Sequence, residues 1–347
     1  MFRSRSTSLF VLSALIPLAV ACRSDRSETT SESSGASTPI VSAATTTGSS
    51  ETTGSVSPAV PVTYEHAESA FGARHYPEAT QLFTSYTDSN PENPWGYYML
   101  GLSAWRSGDR ETAAGAFDRA LQLDPSHRKS LFNSSRVLLE LGQPKEALER
   151  IEKALTLEPM SSEGLRLLGR ARYQLGQVEG AVAAYQRALG LDDRDVWSMN
   201  NLGLIYIEQD RSSEALPPLA LAVELRSNAP VFQNNLGMAL ERSGHPAAAA
   251  KAYEAAIALD STYRKASISL ARITAGIPES DSVTVDLTAL AQQFQSEIEG
   301  WRGSRDSTTV PGDTVTDSSK VGMVGLSDSS VASVEAVADT SEDCEQE

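Results

Sequence analysis

Apolar residues recur with two superimposed periods between about residues 60 and 275. Within stretches of about 13 residues they follow the three- and four-residue spacing of an amphipathic helix. The whole pattern repeats every 34 residues, most clearly as a row of small residues followed 12 positions later by a row of alanines. These rows are Ala67, Gly101, Ser135, Gly169, Gly203, Gly237 and Ala271, and then Ala79, Ala113, Ala147, Ala181, Ala215 and Ala249. Because small side chains let helix axes approach closely, the rows predict a regular stack of helix pairs.

Bulky residues and turn residues complete each unit. The bulky row is Phe83, Phe117, Ile151, Tyr185, Leu219 and Tyr253, and it can fill the space beside the small residues. Glycines fall between the two apolar stretches, where a left-handed residue ends a helix, at Gly108, Gly142, Gly176 and Gly244. A single helix pair cannot bury its apolar face alone, so the units must stack into one continuous core.

The residues of a single unit resemble the tetratricopeptide repeat. Residues 201–206 (NLGLIY) match the first helix of that family, and residues 120–125 (ALQLDP) match the second. The resemblance implies an all-α fold, a right-handed α-solenoid of helix-turn-helix units, whose first helices line a concave face. It covers residues 60–275 as six units and a half unit, with boundaries at 60–93, 94–127, 128–161, 162–195, 196–229 and 230–263.

Prolines modify the array near its end. Pro217 and Pro218 lie near the start of the second helix of the fifth unit and predict that this helix is shortened or kinked. Pro278 interrupts the chain, and residues 286–301 then predict a final helix with Asp286 as its N-cap. Its apolar face predicts a capping helix over the last repeat, which a stack needs for solubility; the face consists of Leu287, Leu290, Phe294, Ile298 and Trp301.

The N-terminus has the features of a targeting segment. Two arginines precede an apolar stretch of 12 residues, which is shorter than a bilayer-spanning helix and typical of a signal peptide. The stretch ends in small residues before Cys22 and resembles a bacterial lipoprotein signal, which implies cleavage before Cys22 and acylation of its thiol. The alternatives are a secreted protein cut near Ala21 and an uncleaved N-terminal anchor. Arg23, where inner-membrane lipoproteins carry aspartate, implies the periplasmic face of the outer membrane in a host with two membranes.

Two segments of biased composition flank the array. Between residues 22 and 59 about half of the positions are serine or threonine, which predicts a disordered tether. The segment 303–347 is rich in acidic and small residues and is predicted to be a disordered tail. The predicted organisation is therefore a signal peptide (1–21), a tether (22–59), the array (60–275), a linker with a capping helix (276–302) and an acidic tail (303–347).

Composition excludes several functional classes. The formal net charge is −16, which argues against nucleic-acid binding because that requires a basic surface. Only two cysteines and four scattered histidines are present, so neither a disulfide framework nor a metal-binding motif is predicted. We find no glycine-rich phosphate loop and no nucleophile motif. The sequence predicts a protein that is not an enzyme and carries no cofactor.

Candidate binding residues lie on the positions that the family directs toward the concave face. Asparagines at the sixth position of three units can hold the backbone of an extended peptide, whereas asparagine is also common there without a ligand. Four cations form a basic strip suited to carboxylates, or they pair with Glu140 and Glu163. Exposed aromatics would anchor a partner, or they pack between adjacent helices. The three sets are Asn133, Asn201 and Asn235; Lys129, Arg136, Arg166 and Arg170; and Trp95, Tyr98 and Trp197.

These features suggest two functions. The first is a lipid-anchored scaffold or adaptor that binds a peptide or a partner protein, with an acidic or carboxylate-bearing segment, in its concave groove. The alternative is an assembly or pilotin-type factor for an envelope complex such as a secretin, a pilus or an outer-membrane protein. In either case the sequence predicts attachment to the membrane through the lipid and no binding of nucleic acid.

Overall fold

The computed structural model describes residues 62–274 and 284–303, and every regular element within these ranges is an α-helix. Cys22, the predicted signal peptide and tether, Pro278 and the acidic tail beyond residue 303 lie outside the described residues. The helices are α1 Tyr64–Gly72, α2 Tyr76–Ser89, α3 Pro94–Ser107, α4 Arg110–Leu123, α5 Arg128–Glu140, α6 Pro144–Leu157, α7 Ser162–Gln174, α8 Val178–Leu191, α9 Val196–Glu208, α10 Ser212–Leu225, α11 Pro230–Arg242, α12 Pro246–Leu259, α13 Arg264–Thr274 and α14 Leu287–Gly303.

Helices α1 to α12 pack as six successive antiparallel pairs, and α13 adds one more first helix. Each second helix contacts both its own first helix and the first helix of the next unit, so the core is continuous along the stack. The predicted all-α solenoid is confirmed. The four turn glycines have positive φ angles, as their place between the helices requires, and in the first and fifth units Arg74 and Asp210 adopt that conformation instead.

The close contact inside each unit explains the row of small residues. A methyl group added at Gly203 would lie 2.5 Å from Cγ of Leu219, which belongs to the second helix of the same unit. The equivalent glycines are equally confined: a Cβ would lie 2.7 Å from Phe117 at Gly101, 2.7 Å from Tyr185 at Gly169 and 2.6 Å from Tyr253 at Gly237. In these four units the bulky side chain therefore packs directly against the glycine backbone of the first helix. All members of the bulky row are at most 1% exposed.

The final helix α14 exists as predicted but packs in another place. Asp286 caps it by accepting a hydrogen bond from the backbone N–H of Ala289 at 2.9 Å, and Ala291, Phe294 and Ile298 are buried. These residues pack on α10 and α8, the second helices of the fifth and fourth units, and not on the last repeat. Near the end of α14, Arg302 forms an ion pair of 3.1 Å with Asp193 and donates a hydrogen bond to the carbonyl of Gly190.

The reason for this placement lies in α10. Leu221 on this helix is 4% exposed, although the residues 34, 68 and 102 positions earlier, Arg187, Lys153 and Arg119, are charged. Helix α10 is apolar on nearly all sides, which is typical of a helix covered on two faces. The prediction that Pro217 and Pro218 shorten α10 is wrong. Helix α10 has the same length as α8, 14 residues, and both prolines are buried in it.

The glycine contacts predict opposite effects for two glycine-to-alanine substitutions. Gly203→Ala should lower the free energy of unfolding by about 1–3 kcal/mol, because the added methyl group overpacks the contact with Leu219. Gly115→Ala, in the middle of α4 where nothing lies within 4 Å, should raise it by up to about 1 kcal/mol through helix propensity. Urea unfolding of both variants measures the difference. Equal stability of the two would contradict the assigned repeat positions.

Candidate protein-binding surface

The first helices place the predicted binding residues along one face, but most of these residues are buried. Tyr98, Asn133, Arg136, Arg166 and Arg170 are between 5% and 9% exposed. Lys129 is exposed, and Asn201 is partly exposed. The cause is a set of side-chain contacts between neighbouring first helices.

A row of hydrogen bonds joins each first helix to the next. From the second unit to the sixth, the residue at the twelfth position of one unit bonds to the residue at the thirteenth position of the next, 35 residues later. The donors are side chains, and the acceptors are side-chain carboxylates or backbone carbonyls. The bonds are Trp105 to Glu140 at 3.2 Å, Gln174 to the carbonyl of Leu139 at 3.2 Å, Tyr173 to Glu208, and Arg242 to the carbonyl of Ile207 at 3.1 Å.

Two of these acceptors are the carboxylates of Glu140 and Glu208. Glu140 also forms an ion pair of 2.6 Å with Arg110, and its side chain is only 5% exposed. Burial raises the pKa of Glu208, while the charge of Arg242 acts in the opposite direction. This row therefore serves the contact between repeats.

Two of the candidate asparagines take part in a second row of hydrogen bonds, again between residues 35 positions apart. Asn133 donates to the hydroxyl of Tyr98 at 3.3 Å, and Asn235 donates to the amide oxygen of Asn200 at 2.8 Å. Asn201 instead hydrogen-bonds Tyr185, the bulky residue of the unit before. All three amides thus contribute to the packing of the array, and their contact with a bound peptide stays a prediction.

Two of the predicted cations pair with acidic side chains. Arg136 forms an ion pair of 2.9 Å with Glu163, as the sequence allowed, and donates to Asn133. Arg166 forms an ion pair of 2.9 Å with Asp195, a partner that the sequence analysis missed. Of the four cations of the basic strip, Lys129 is the exposed one.

Asp195 has two roles at the start of α9. Its Oδ1 accepts hydrogen bonds from the backbone N–H groups of Trp197 and Ser198, both at 3.2 Å, so it is the N-cap of this helix. The same carboxylate pairs with Arg166 on the first helix of its own unit, and its side chain is 2% exposed. The sequence signal was its capping position, the last residue of the fourth unit, from which a side chain can reach the preceding first helix.

Trp95 and Trp197 occupy the same position of their units but have different surroundings. Trp95 is 48% exposed, and its ring lies 5.7 Å from that of Tyr98 in an edge-on contact. Trp197 is 8% exposed because Phe232, 35 residues later, packs edge-on against it at 5.0 Å. The residue 35 positions after Trp95, which corresponds to Phe232, is Ser130, and its side chain is too small to cover the Trp95 ring. Trp197 therefore packs between adjacent helices, and Trp95 is the accessible aromatic residue of the pair.

Family comparisons agree with this geometry. Models of the tetratricopeptide repeat match residues 64–128, 132–196, 196–229 and 230–263, which together exceed half of the chain. The chain belongs to the tetratricopeptide repeat family. Its array is therefore a protein-interaction fold, and the accessible surface around Trp95 and Lys129 is the part of its first-helix face to test for a partner.

Other proteins resemble parts of this chain. The chain is 36% identical over 62 residues to an uncharacterized protein of Methanocaldococcus jannaschii, an alignment that covers 18% of this chain and 72% of that protein. A tetratricopeptide repeat protein of Parabacteroides merdae superposes with a TM-score of 0.54 at 14% identity, over 63% of this chain and 87% of that one. The Cut9–Hcn1 hetero-tetramer of the APC/C gives a TM-score of 0.53 at 18% identity, over 60% of this chain and 41% of that one. The two structural matches show the fold alone.

Two further observations concern other kinds of site in the array. Among the described residues, no three or more histidine, cysteine, aspartate or glutamate side chains are grouped as metal ligands would be. Over the same ranges, no helix has both the length and the apolar character needed to span a bilayer.

The buried ion pair at the base of the basic strip predicts a coupled effect on stability. Asp195→Ser should lower the free energy of unfolding by about 3 kcal/mol, because Arg166 loses a buried counter-ion. Serine keeps the helix cap, as Ser161 does for α7. The double variant Arg166→Met with Asp195→Ser should recover most of the lost unfolding free energy, because neither charge of the ion pair remains. Urea unfolding tests both, and a single variant as stable as the wild type would contradict the role of the pair.

Proposed function

We propose that the protein is a membrane-anchored, non-catalytic scaffold that binds an acidic, extended segment of a partner protein on the concave face of its repeats. The observation that carries this proposal is the exposed Lys129 of the basic strip, two residues from His127, whose ring contacts the exposed Trp95. A local cationic surface in a chain of net charge −16 favours an anionic ligand.

The chemistry of this surface supports a carboxylate-bearing partner. Lys129 is exposed and can approach a carboxylate directly, whereas Arg136 and Arg166 are buried and already paired with Glu163 and Asp195. Trp95 offers a large, exposed ring next to this charge, and tryptophan is enriched among residues that dominate binding energies. Asn201, which is partly exposed, is the candidate amide best placed to meet a peptide backbone.

The membrane attachment is proposed from the sequence. The signal-like segment before Cys22 supports lipid anchoring in a bacterial cell envelope, facing the periplasm from the outer membrane in a host with two membranes. Several acyl chains give stable anchoring, whereas one chain alone is marginal. A tether of 38 residues would then let the array reach a partner at a distance from the bilayer.

Two substitutions on the accessible part of the surface test the scaffold function. Lys129→Glu combined with Trp95→Ala should weaken capture of the partner about tenfold or more, because the pair removes an exposed anchor and reverses a charge. The measurement is photo-crosslinking in the native membrane, with the reactive residue placed at Asn201. Lys145→Glu, at an exposed lysine of the second helix of the third unit, makes the same charge change away from this face and should leave crosslinking unchanged.

The outcomes separate the two functions. A partner retained in the double variant would move the binding site away from the first-helix face and overturn the proposal. A partner whose abundance falls when the gene is deleted would favour an assembly factor, while an unchanged abundance would favour a scaffold. Reversing the charge of Arg166 is avoided, because a carboxylate there would face the buried carboxylate of Asp195.

A further inference from the structure

The helix that carries Lys129 and Asn133 begins with a histidine. His127 is the N-cap of α5, and its Nδ1 accepts the backbone N–H of Ser130 at 3.2 Å, with the hydroxyl of the same serine 2.7 Å away. The N-caps of α3, α7 and α9 are Asn93, Ser161 and Asp195, whose side-chain oxygens accept the same kind of hydrogen bond. Of these four caps, His127 is the one whose charge changes near neutral pH.

The imidazole is enclosed by the binding surface. It is 6% exposed, and its ring lies 4.5 Å from the ring of Trp95 and 5.1 Å from that of Tyr98. Because Nδ1 accepts the cap bond, the neutral ring carries its proton on Nε2, which is buried and has no hydrogen-bond partner within the described parts of the chain. The ring packs against both Trp95 and Tyr98.

The surroundings disfavour a charged ring. Burial lowers the pKa of His127 below its ordinary value, the carboxylate of Asp124 opposes this shift, and the ammonium group of Lys129 adds to it. Tyr98, the other titratable group against the ring, is a neutral phenol at these pH values. The N-terminal end of α5 also carries the positive end of the helix dipole, which repels a cation.

Protonation removes the cap. A protonated Nδ1 becomes a donor, so it can still meet the hydroxyl of Ser130 but can no longer accept the backbone N–H. The first turn of α5 then loses its side-chain acceptor. Tyr98 in turn holds Asn133 through its hydroxyl, so the disturbance reaches the candidate binding residues.

We propose that His127 is a pH-sensitive helix cap that keeps the binding corner, formed by Trp95, Tyr98, Lys129 and Asn133, in place at neutral pH and loosens it on acidification. The capping role stands on the geometry alone, and its consequence for a partner rests on the proposed function. The folded chain binds the proton on His127 less readily than the unfolded chain. The stability that the cap provides is therefore complete above about pH 6.5, the ordinary value, and is lost as the pH falls through the lowered value.

Hydrogen exchange of the full chain at pH 7.5 and pH 4.5 tests the cap. In the wild type, the protection factors of the amides at 130–133 should fall about fivefold more than in His127→Asn, which copies the cap that Asn93 provides one unit earlier. His75→Asn and His245→Asn are matched controls, because these histidines also precede helices but make no cap hydrogen bond. Both should keep the wild-type loss. An equal loss in His127→Asn, or no selective loss in the wild type, would overturn the proposal.

A binding measurement separates this inference from the proposed function. The probe is a labelled hexaglutamate peptide with a free C-terminus, followed by fluorescence anisotropy at pH 7.5 and pH 5.5. The wild type should lose affinity about fivefold more than His127→Asn over this range. Equal losses in the two proteins would overturn control of the surface by His127. If the peptide binds neither protein at either pH, the acidic-ligand function fails, and the exchange measurement still decides the cap.

Discussion

The array depends on one repeated contact, in which a bulky side chain of the second helix rests on the glycine backbone of the first. At Gly203 and Leu219 the space is too small for a single methyl group. Such a contact fixes the distance between the two helices of a unit far more tightly than a layer of flexible side chains would. Because the same contact recurs in the second, fourth, fifth and sixth units, those units are close copies, and residues 35 positions apart meet at each junction.

That regular spacing places bonds between repeats on the first-helix face, which is also the face that we propose binds a partner. The bonds of Asn133 and Asn235 show that an amide at the sixth position already has a structural use. The exposure of each tryptophan depends on the residue 35 positions later. Ser130 leaves Trp95 exposed, whereas Phe232 covers Trp197. The exposed candidate residues Trp95 and Lys129 thus lie in the second and third units.

The opposite side of the array is partly closed. Helix α14 returns to α8 and α10 and buries Phe294 and Ile298 there, so the second helices of the fourth and fifth units are shielded. The covered helix is the one that carries two prolines and Leu221 in place of a charged residue. Protein contacts on this side would have to involve other units, whereas the first-helix face keeps Trp95 and Lys129 accessible.

The sequence by itself determined the fold, the 34-residue unit and the existence of α14, because helix periodicity, turn glycines and small residues act locally and repeat. It also located the face that carries Lys129, Arg136, Arg166 and Arg170. Only the tertiary structure decided which of these residues are enclosed, since exposure depends on a neighbour 29 to 35 residues away. Asp195 beneath Arg166 and Phe232 over Trp197 are such neighbours. The place of α14 was likewise decided by a surface on α10 that is about 70 residues distant, and no local pattern specifies a contact over that separation.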